Sequence, residues 1–384
     1  MDSKHKLGQF FTTNEELKEK IYEFILNSPD VILEPSIGRG DLVSFIQQKI
    51  PCVSFDTYEI DESITILSDI CTDNIIYTNF ITYPIKKKYA TIIGNPPYVR
   101  TKKGNLYLEF IDKCYNLLED SGELIFIVPA DFLKLTSAVN LLNIMMTNGT
   151  FTHIFHPNNE HYFEGASIDI IIFRYCKDIT LVKQVRYNNN LLYLINNNGL
   201  ITFSEEEVID CIIFQDYFEI YVGLVSGKEK VYKNKELGNI AVLNGLNKVE
   251  KYIYINSFPC EDDKINEYLL IYKEELIARS IRKFDNRNWY EWGAPRNIKT
   301  IQQYLGKECI YIYNLTRQTP IAFLGNVNYF GGNLLMILPK KPCDLDKILS
   351  YLNSKRFIDN FMFSGRFKIG QRQLCNTYIP KEFI

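Results

Sequence analysis

Up to Tyr175 the chain alternates between short apolar runs and stretches of helical spacing, and this alternation limits its fold more than any other feature. Val31–Glu34, Val53–Glu59, Ile75–Thr78, Ala90–Gly94 and Leu124–Val128 read as strands, whereas Asp41–Lys49, Leu106–Leu118 and Ser137–Met146 place apolar residues at helical intervals. Such alternation predicts an α/β fold, a doubly wound parallel sheet with helices on both faces. Phe151–His156 and Ile168–Tyr175 are strands separated only by a loop, so they are expected to close the sheet as an antiparallel pair.

From Ile179 onward the character changes. Asn, Tyr, Lys and Ile dominate, with short strand-like runs such as Glu250–Ile255 and Cys309–Tyr313. The Asn-rich stretches Asn188–Asn190 and Asn196–Gly199 read as a boundary or long loop. Two domains are expected, 1–178 and 179–384, in keeping with a chain of 384 residues that is 46% apolar. The net charge of -3 neither demands nor excludes a nucleic-acid partner, which must instead be argued from local basic patches. The nine cysteines are scattered singly without a CxxC pair, and the four histidines lack a zinc spacing. Reduced thiols, no metal site and a cytoplasmic location are the expectation. No apolar run resembles a leader or a membrane span.

Two strand ends carry the signs of a nucleoside site. Val31-Ile-Leu-Glu-Pro-Ser-Ile-Gly-Arg-Gly-Asp41 ends one strand and opens a helix. Gly38 and Gly40 let backbone approach a ligand, and Glu34 sits at a carboxyl end, where open α/β sheets bind ligands. Tyr58-Glu59-Ile60-Asp61 then ends the second strand with a carboxylate placed to take ribose hydroxyls, near the spacing such sites use. The plainer reading of Glu59 is a solvated strand-end acid.

Asn95-Pro96-Pro97-Tyr98 follows the fourth strand. An exocyclic aromatic amine is a poor nucleophile because its lone pair is delocalised into the ring. The Asn95 side-chain oxygen and the Pro96 carbonyl can accept its two hydrogens, leaving the lone pair free to attack a methyl group. Prolines stiffen the loop and remove backbone donors, and Tyr98 offers a ring for base stacking. The rate gain would come from orientation and preorganised polar groups.

Lys6-Leu-Gly-Gln-Phe-Phe-Thr12, Leu33-Glu-Pro-Ser36, Tyr58-Glu-Ile-Asp61 and Gly94-Asn-Pro-Pro-Tyr98 occur in that order. In this the chain resembles the gamma class of adenine-N6 DNA methyltransferases of restriction–modification systems. The resemblance implies a Rossmann-like S-adenosylmethionine-dependent methyltransferase core followed by a C-terminal target-recognition domain. It implies S-adenosylmethionine as cofactor and a flipped adenine in double-stranded DNA as substrate, with a monomer acting on DNA and a cognate restriction endonuclease as a further partner. Thr12, Glu34, Ser36, Glu59, Ile60, Asn79 and Phe80 would then line the cofactor pocket, with Gly38, Asn95 and Pro97 beside them. Asn79 departs from the class, which carries Asp there, although its amide still offers an acceptor oxygen. Phe163, ahead of Tyr162, resembles the aromatic residue that stacks on the flipped base, making Asn95, Pro96, Tyr98 and Phe163 the expected catalytic set.

Reaching an adenine amine in a duplex requires base flipping, which costs a few kcal/mol that DNA contacts must offset. Basic residues cluster at Lys86–Lys88, Arg100–Lys103, Lys228–Lys230, Arg279–Lys283 with Arg287, and Lys355–Arg356. Val222–Gly227, Trp289–Asn297, Asn314–Arg317, Tyr329–Asn333 and Phe363–Arg366 resemble recognition-domain elements of the class. Arg100, Lys102, Lys228, Arg296, Arg317, Arg366 and Arg372 are the expected DNA-contacting residues. Competing readings are a protein glutamine methyltransferase, which meets the same electronic problem with the same tetrapeptide, an RNA methyltransferase, and a DNA-binding specificity protein with an inactive core. The large extra domain after the cofactor motif disfavours the first, and intact Glu34, Glu59 and Asn95–Tyr98 disfavour the last.

Overall fold

The structure is a computed structural model that describes residues 8–101, 104–163, 165–178 and 183–384. The chain forms two compact units, one of Met1–Ile209 with Phe363–Gly365, the other of Asp210–Met362 with Arg366–Ile384.

In the first unit, helix α1 (Glu15–Phe24) starts at Asn14, whose side chain accepts from the Leu17 amide. Strand β1 (Val31–Glu34) leads through a glycine turn into α2 (Asp41–Lys49), followed by β2 (Ser54–Glu59), β3 (Ile75–Tyr77) and β4 (Tyr89–Gly94). Next come α3 (Leu106–Leu117), β5 (Leu118–Pro129), α4 (Val139–Thr147), β6 (Gly149–Phe155) and β7 (Ile170–Lys177). Three more strands follow: β8 (Gln184–Tyr187), β9 (Asn190–Asn197) and β10 (Leu200–Ser204).

Among the described residues these ten strands form one sheet, in the order β10-β9-β8-β6-β7-β5-β4-β1-β2-β3. The β3-β2-β1-β4-β5 portion is parallel and doubly wound, so the strand order reverses between β1 and β4. The carboxyl ends at that switch point are where such sheets hold ligands. Burial on both faces explains why the central strands β1, β4 and the Leu124–Val128 part of β5 read as apolar runs. In β5, Leu124, Phe126 and Val128 face a layer with Tyr107, Phe110 and Cys114 of α3, and Leu142 and Met145 of α4. Ile125 and Ile127 face Leu17, Ile21 and Phe24 of α1, and Leu42 and Ile46 of α2. The fully buried Glu123 accepts from Arg174 Nε (2.7 Å), Thr91 Oγ1 (2.9 Å) and the Leu26 and Asn27 amides. It ties the end of α1 to the sheet.

β6 and β7 do pair antiparallel, but they do not close the sheet. β8 adds parallel to β6, and β9 and β10 follow as hairpins. The asparagine-rich stretches taken for a boundary are the hairpin turns. Asn188, Asn198 and Gly199 adopt φ of 50°, 48° and 69°, the left-handed conformations that tight hairpins require. The division expected at 178/179 therefore falls between Ile209 and Asp210.

The second unit is built on a four-stranded antiparallel sheet, ordered Phe218–Val222, Leu334–Pro339, Glu308–Tyr313, Ala322–Asn326. Tyr311, Leu334 and Met336 pack on Trp289, Trp292 and Phe330 on one face, and Ile310, Ile312 and Ile337 pack on Ile348 and Leu352 on the other. Arg279 is buried there, bonded to the carbonyls of Leu276, Ser226, Trp289 and Glu291, with its guanidinium 3.8 Å from the Phe284 ring centre. That makes it a structural residue within a cluster read from the sequence as basic surface. Among the described residues no helix is long and apolar enough to cross a membrane.

Candidate active site

The carboxyl ends of β1, β2, β3 and β4 surround a cavity of about 560 Å³. Every residue expected to hold the cofactor lines it: Thr12, Glu34, Ser36, Gly38, Glu59, Ile60, Asn79, Phe80, Asn95 and Pro97.

The glycine turn is folded around Glu59. One carboxylate oxygen accepts from the Gly38 amide (2.9 Å), the other from the amides of Ile60 (2.8 Å) and Asp61 (3.0 Å). Gly38 stands at φ 56°, and a Cβ there would meet the Phe11 ring at 3.1 Å, so close packing and conformation both favour glycine. Glu34 is 2% exposed, and its Oε1 accepts from the Ser36 amide at 3.0 Å. Burial, reinforced by the nearby Glu59 charge, raises the Glu34 carboxyl to about 8. A Cβ at Gly94 would come within 3.1 Å of Glu34 Oε1 and of the Phe126 ring, so glycine eases the close approach of the end of β4 to Glu34.

The far wall is apolar. Phe80 stacks on Phe110 (centroids 5.4 Å apart, planes at 18°), and Ile60 stands at the rim, 57% exposed. Asn79 is exposed, and its Oδ1 accepts from the Ile81 amide at 3.0 Å, which turns the loop after β3.

Asn95 is held from three sides. Its Nδ2 donates to the Phe10 carbonyl (2.7 Å) and lies 3.1 Å from the Thr12 hydroxyl. A carbonyl can only accept, so the amide nitrogen must face Phe10 and the oxygen must face away. The Tyr98 hydroxyl lies 2.6 Å from that oxygen and 3.0 Å from the Ile127 carbonyl, two acceptors for its single proton. Burial pushes the Tyr98 hydroxyl well above its ordinary value, so it remains a donor.

Pro96 is buried behind the loop. Phe163, 4% exposed, lies 6.2 Å from Tyr98, and Phe10 stacks on Tyr98 at 5.8 Å and packs tilted against Phe163 at 5.7 Å. Tyr98, Phe163 and Phe10 thus form one aromatic cluster next to Asn95. Tyr162 turns away and donates to Glu16 at 2.7 Å. Phe10 was not singled out in the sequence, nor were Leu106, Glu109 and Phe110, which also line the cavity. The last three sit at i, i+3 and i+4 in the first turns of α3, a spacing that marks one helix face.

The basic candidates fall in different settings. Arg100 lines the cavity itself. Lys102 lies outside the described residues. Lys228 pairs with Glu275 at 2.5 Å. Arg296 and Arg317 are exposed. Arg366 lies on the strand Arg366–Lys368 and Arg372 on the helix Gln371–Cys375, both partly buried.

Residues 44–163 match the family described as Eco57I restriction-modification methylase. The chain is 35% identical over 201 residues to the type II methyltransferase M.HincII of Haemophilus influenzae, covering 46% of this chain and 39% of that protein. It is 34% identical over 153 residues to the modification methylase CviBIII of Paramecium bursaria Chlorella virus NC1A, covering 34% of this chain and 39% of that one. The chain thus spans about two fifths of the length of the curated relatives it matches. Among solved structures, the DrdV–DNA complex aligns over 90% of this chain and 50% of that one, with a TM-score of 0.50 and 8% identity. The resemblance to restriction–modification DNA methyltransferases is borne out by the sequence matches, and the Rossmann-like core is the fold observed.

Proposed function

We propose that this chain is a site-specific DNA methyltransferase that moves a methyl group from S-adenosylmethionine to the N6 amine of an adenine flipped out of the duplex. The observation that carries this reading is the setting of Asn95, which lines the cavity of Glu34 and Glu59 with its nitrogen pinned by Phe10 and its oxygen fixed on the opposite side by Tyr98.

The cavity suits the cofactor's parts. Ile60, Phe80 and Phe110 offer apolar surface for a purine. Glu59 has acceptor capacity left for ribose hydroxyls after three backbone bonds, since a carboxylate offers about four lone-pair sites. Glu34 is a buried acid that a cationic ligand would ionise. When bound, S-adenosylmethionine supplies an electrophilic methyl group on a sulfonium.

The protein's own residues prepare the amine. Asn95 Oδ1 and the Pro96 carbonyl accept its two hydrogens, drawing the nitrogen towards tetrahedral geometry. As the amine arrives, the Tyr98 proton can turn from Asn95 to the Ile127 carbonyl, freeing an Asn95 lone pair without leaving a buried hydroxyl unpaired. Tyr98 and Phe163 supply the faces on which the base rests. In this reading the Asp210–Met362 and Arg366–Ile384 unit carries target recognition, with Arg296 and Arg317 exposed for phosphates or guanines.

Incubation of the chain with methyl-labelled S-adenosylmethionine and, in parallel, DNA, RNA or protein tests the reading. Label should appear in N6-methyladenine. Label in N4-methylcytosine, RNA or methylglutamine would replace the acceptor.

A further inference from the structure

The ammonium of Lys113, on α3, is the convergence point of the loop that follows β3. It donates to the carbonyls of Phe80, Ile81 (3.3 Å) and Tyr83 (2.5 Å), and it stands 4.6 Å from the centre of the Phe80 ring. A lysine has three protons to donate, and here three carbonyls of one loop take them.

The loop explains the arrangement. The Asn79 carbonyl accepts from the Thr82 and Tyr83 amides (3.1 and 3.0 Å), so residues 79–83 make a tight helical turn. Three of its carbonyls, those of Phe80, Ile81 and Tyr83, are directed to α3. Lys113 receives them, and the side chains of Asn79 and Phe80 are presented to the cavity on the other side. The same lysine holds the ring face-on, while Phe110, one turn away on α3, stacks against it. Burial lowers the Lys113 ammonium, in keeping with a charge partly removed from water.

We propose that Lys113 is a positioning residue for the nucleoside end of the cofactor cavity, acting through the Asn79–Tyr83 turn. The proposal rests on the reading of that cavity as the S-adenosylmethionine site. It separates Lys113 from a general scaffold role, because the turn it holds lies at the cofactor end of the cavity.

Lys113→Met keeps the stem and removes the donors. Lys113→Arg keeps the charge but puts a larger, planar fork where three carbonyls converge on one compact ammonium. In the full chain, S-adenosylhomocysteine binding is measured by calorimetry, and kcat and KM are measured for S-adenosylmethionine and DNA. Lys113→Met should weaken cofactor binding and raise its KM by about tenfold or more, the scale of one charge-assisted hydrogen bond. Its kcat at saturating cofactor and its KM for DNA should stay within about twofold of the parent protein. Lys113→Arg should show the same selective loss, smaller in size, which keeps the test open if Lys113→Met does not fold. Unchanged cofactor affinity in a folded variant, or equal losses for cofactor and DNA, overturns the proposal. Absence of binding by the unsubstituted chain overturns the reading of the cavity, and this proposal with it.

Discussion

The hydroxyl of Tyr98 lies 2.6 Å from the side-chain oxygen of Asn95, so the tyrosine does more than offer a ring. Tyr98→Phe keeps the stacking face and removes the donor. Its rate should fall up to about tenfold, the worth of one neutral hydrogen bond. Tyr98→Ala should fall further, because a base loses a stacking surface worth about 1–3 kcal/mol. Single-turnover rates, with 2-aminopurine fluorescence at the target position as a reading of base flipping, separate the two roles. A Tyr98→Phe protein as slow as Tyr98→Ala would remove stacking from the account, and one as fast as the parent would remove the hydroxyl.

Glu34 sets a pH dependence. In the free protein its carboxyl is raised to about 8, so at pH 7 it carries a proton that the unfolded chain, near 4.5, would release. This contribution to stability is complete below 4.5 and is lost as pH rises towards 8. Binding a cationic ligand favours the ionised acid and expels that proton. Affinity for S-adenosylmethionine should therefore rise with pH, by up to about tenfold per unit, and level off above about 8. Calorimetry in buffers of different ionisation enthalpy measures the proton release. Binding between pH 6 and 8 with neither pH dependence nor proton release would exclude the role.

Glu59 holds the glycine turn before any ligand arrives. Glu59→Ala strips acceptors from the Gly38, Ile60 and Asp61 amides as well as from the ribose. Cofactor binding should weaken by about 1.5–3 kcal/mol, the range for hydrogen bonds to a charged group, with a measurable loss of stability. Calorimetry showing undiminished affinity in a folded variant would contradict this.

The buried pair of Glu123 and Arg174 holds the sheet away from the chemistry, with side chains 0% and 8% exposed. Arg174→Met leaves Glu123 buried without its cation and should cost about 3–5 kcal/mol in chemical denaturation. An unchanged midpoint would show that the pair contributes nothing.

How far the sequence could be read depends on which physical signal each residue leaves. The central strands were legible because burial makes β1, β4 and Leu124–Val128 of β5 largely apolar runs, and the strand ends placed Glu34, Glu59 and Asn95 together. The Asn188 and Asn198-Gly199 turns were misread because composition was weighed over geometry. Asn-Gly between apolar stretches is a hairpin signal, and it carries the sheet on through Ser204. Phe10 escaped notice because its hold on Asn95 is a backbone carbonyl, which no residue type reveals. Arg279 counted as basic surface because charge alone does not show that four carbonyls bury it.

The most direct measurement is methyl transfer into DNA by the parent chain and by Asn95→Ala, read by mass spectrometry of the digested DNA. Only contacts stronger in the transition state than in the ground state accelerate the chemical step. The parent should produce N6-methyladenine. Asn95→Ala should keep its fold and DNA affinity while losing about 10²–10³ in rate at saturating cofactor, the usual loss for one preorganised polar partner. N6-methyladenine formed at the parent rate by Asn95→Ala, or no methylated adenine from the parent at all, would contradict the central claim.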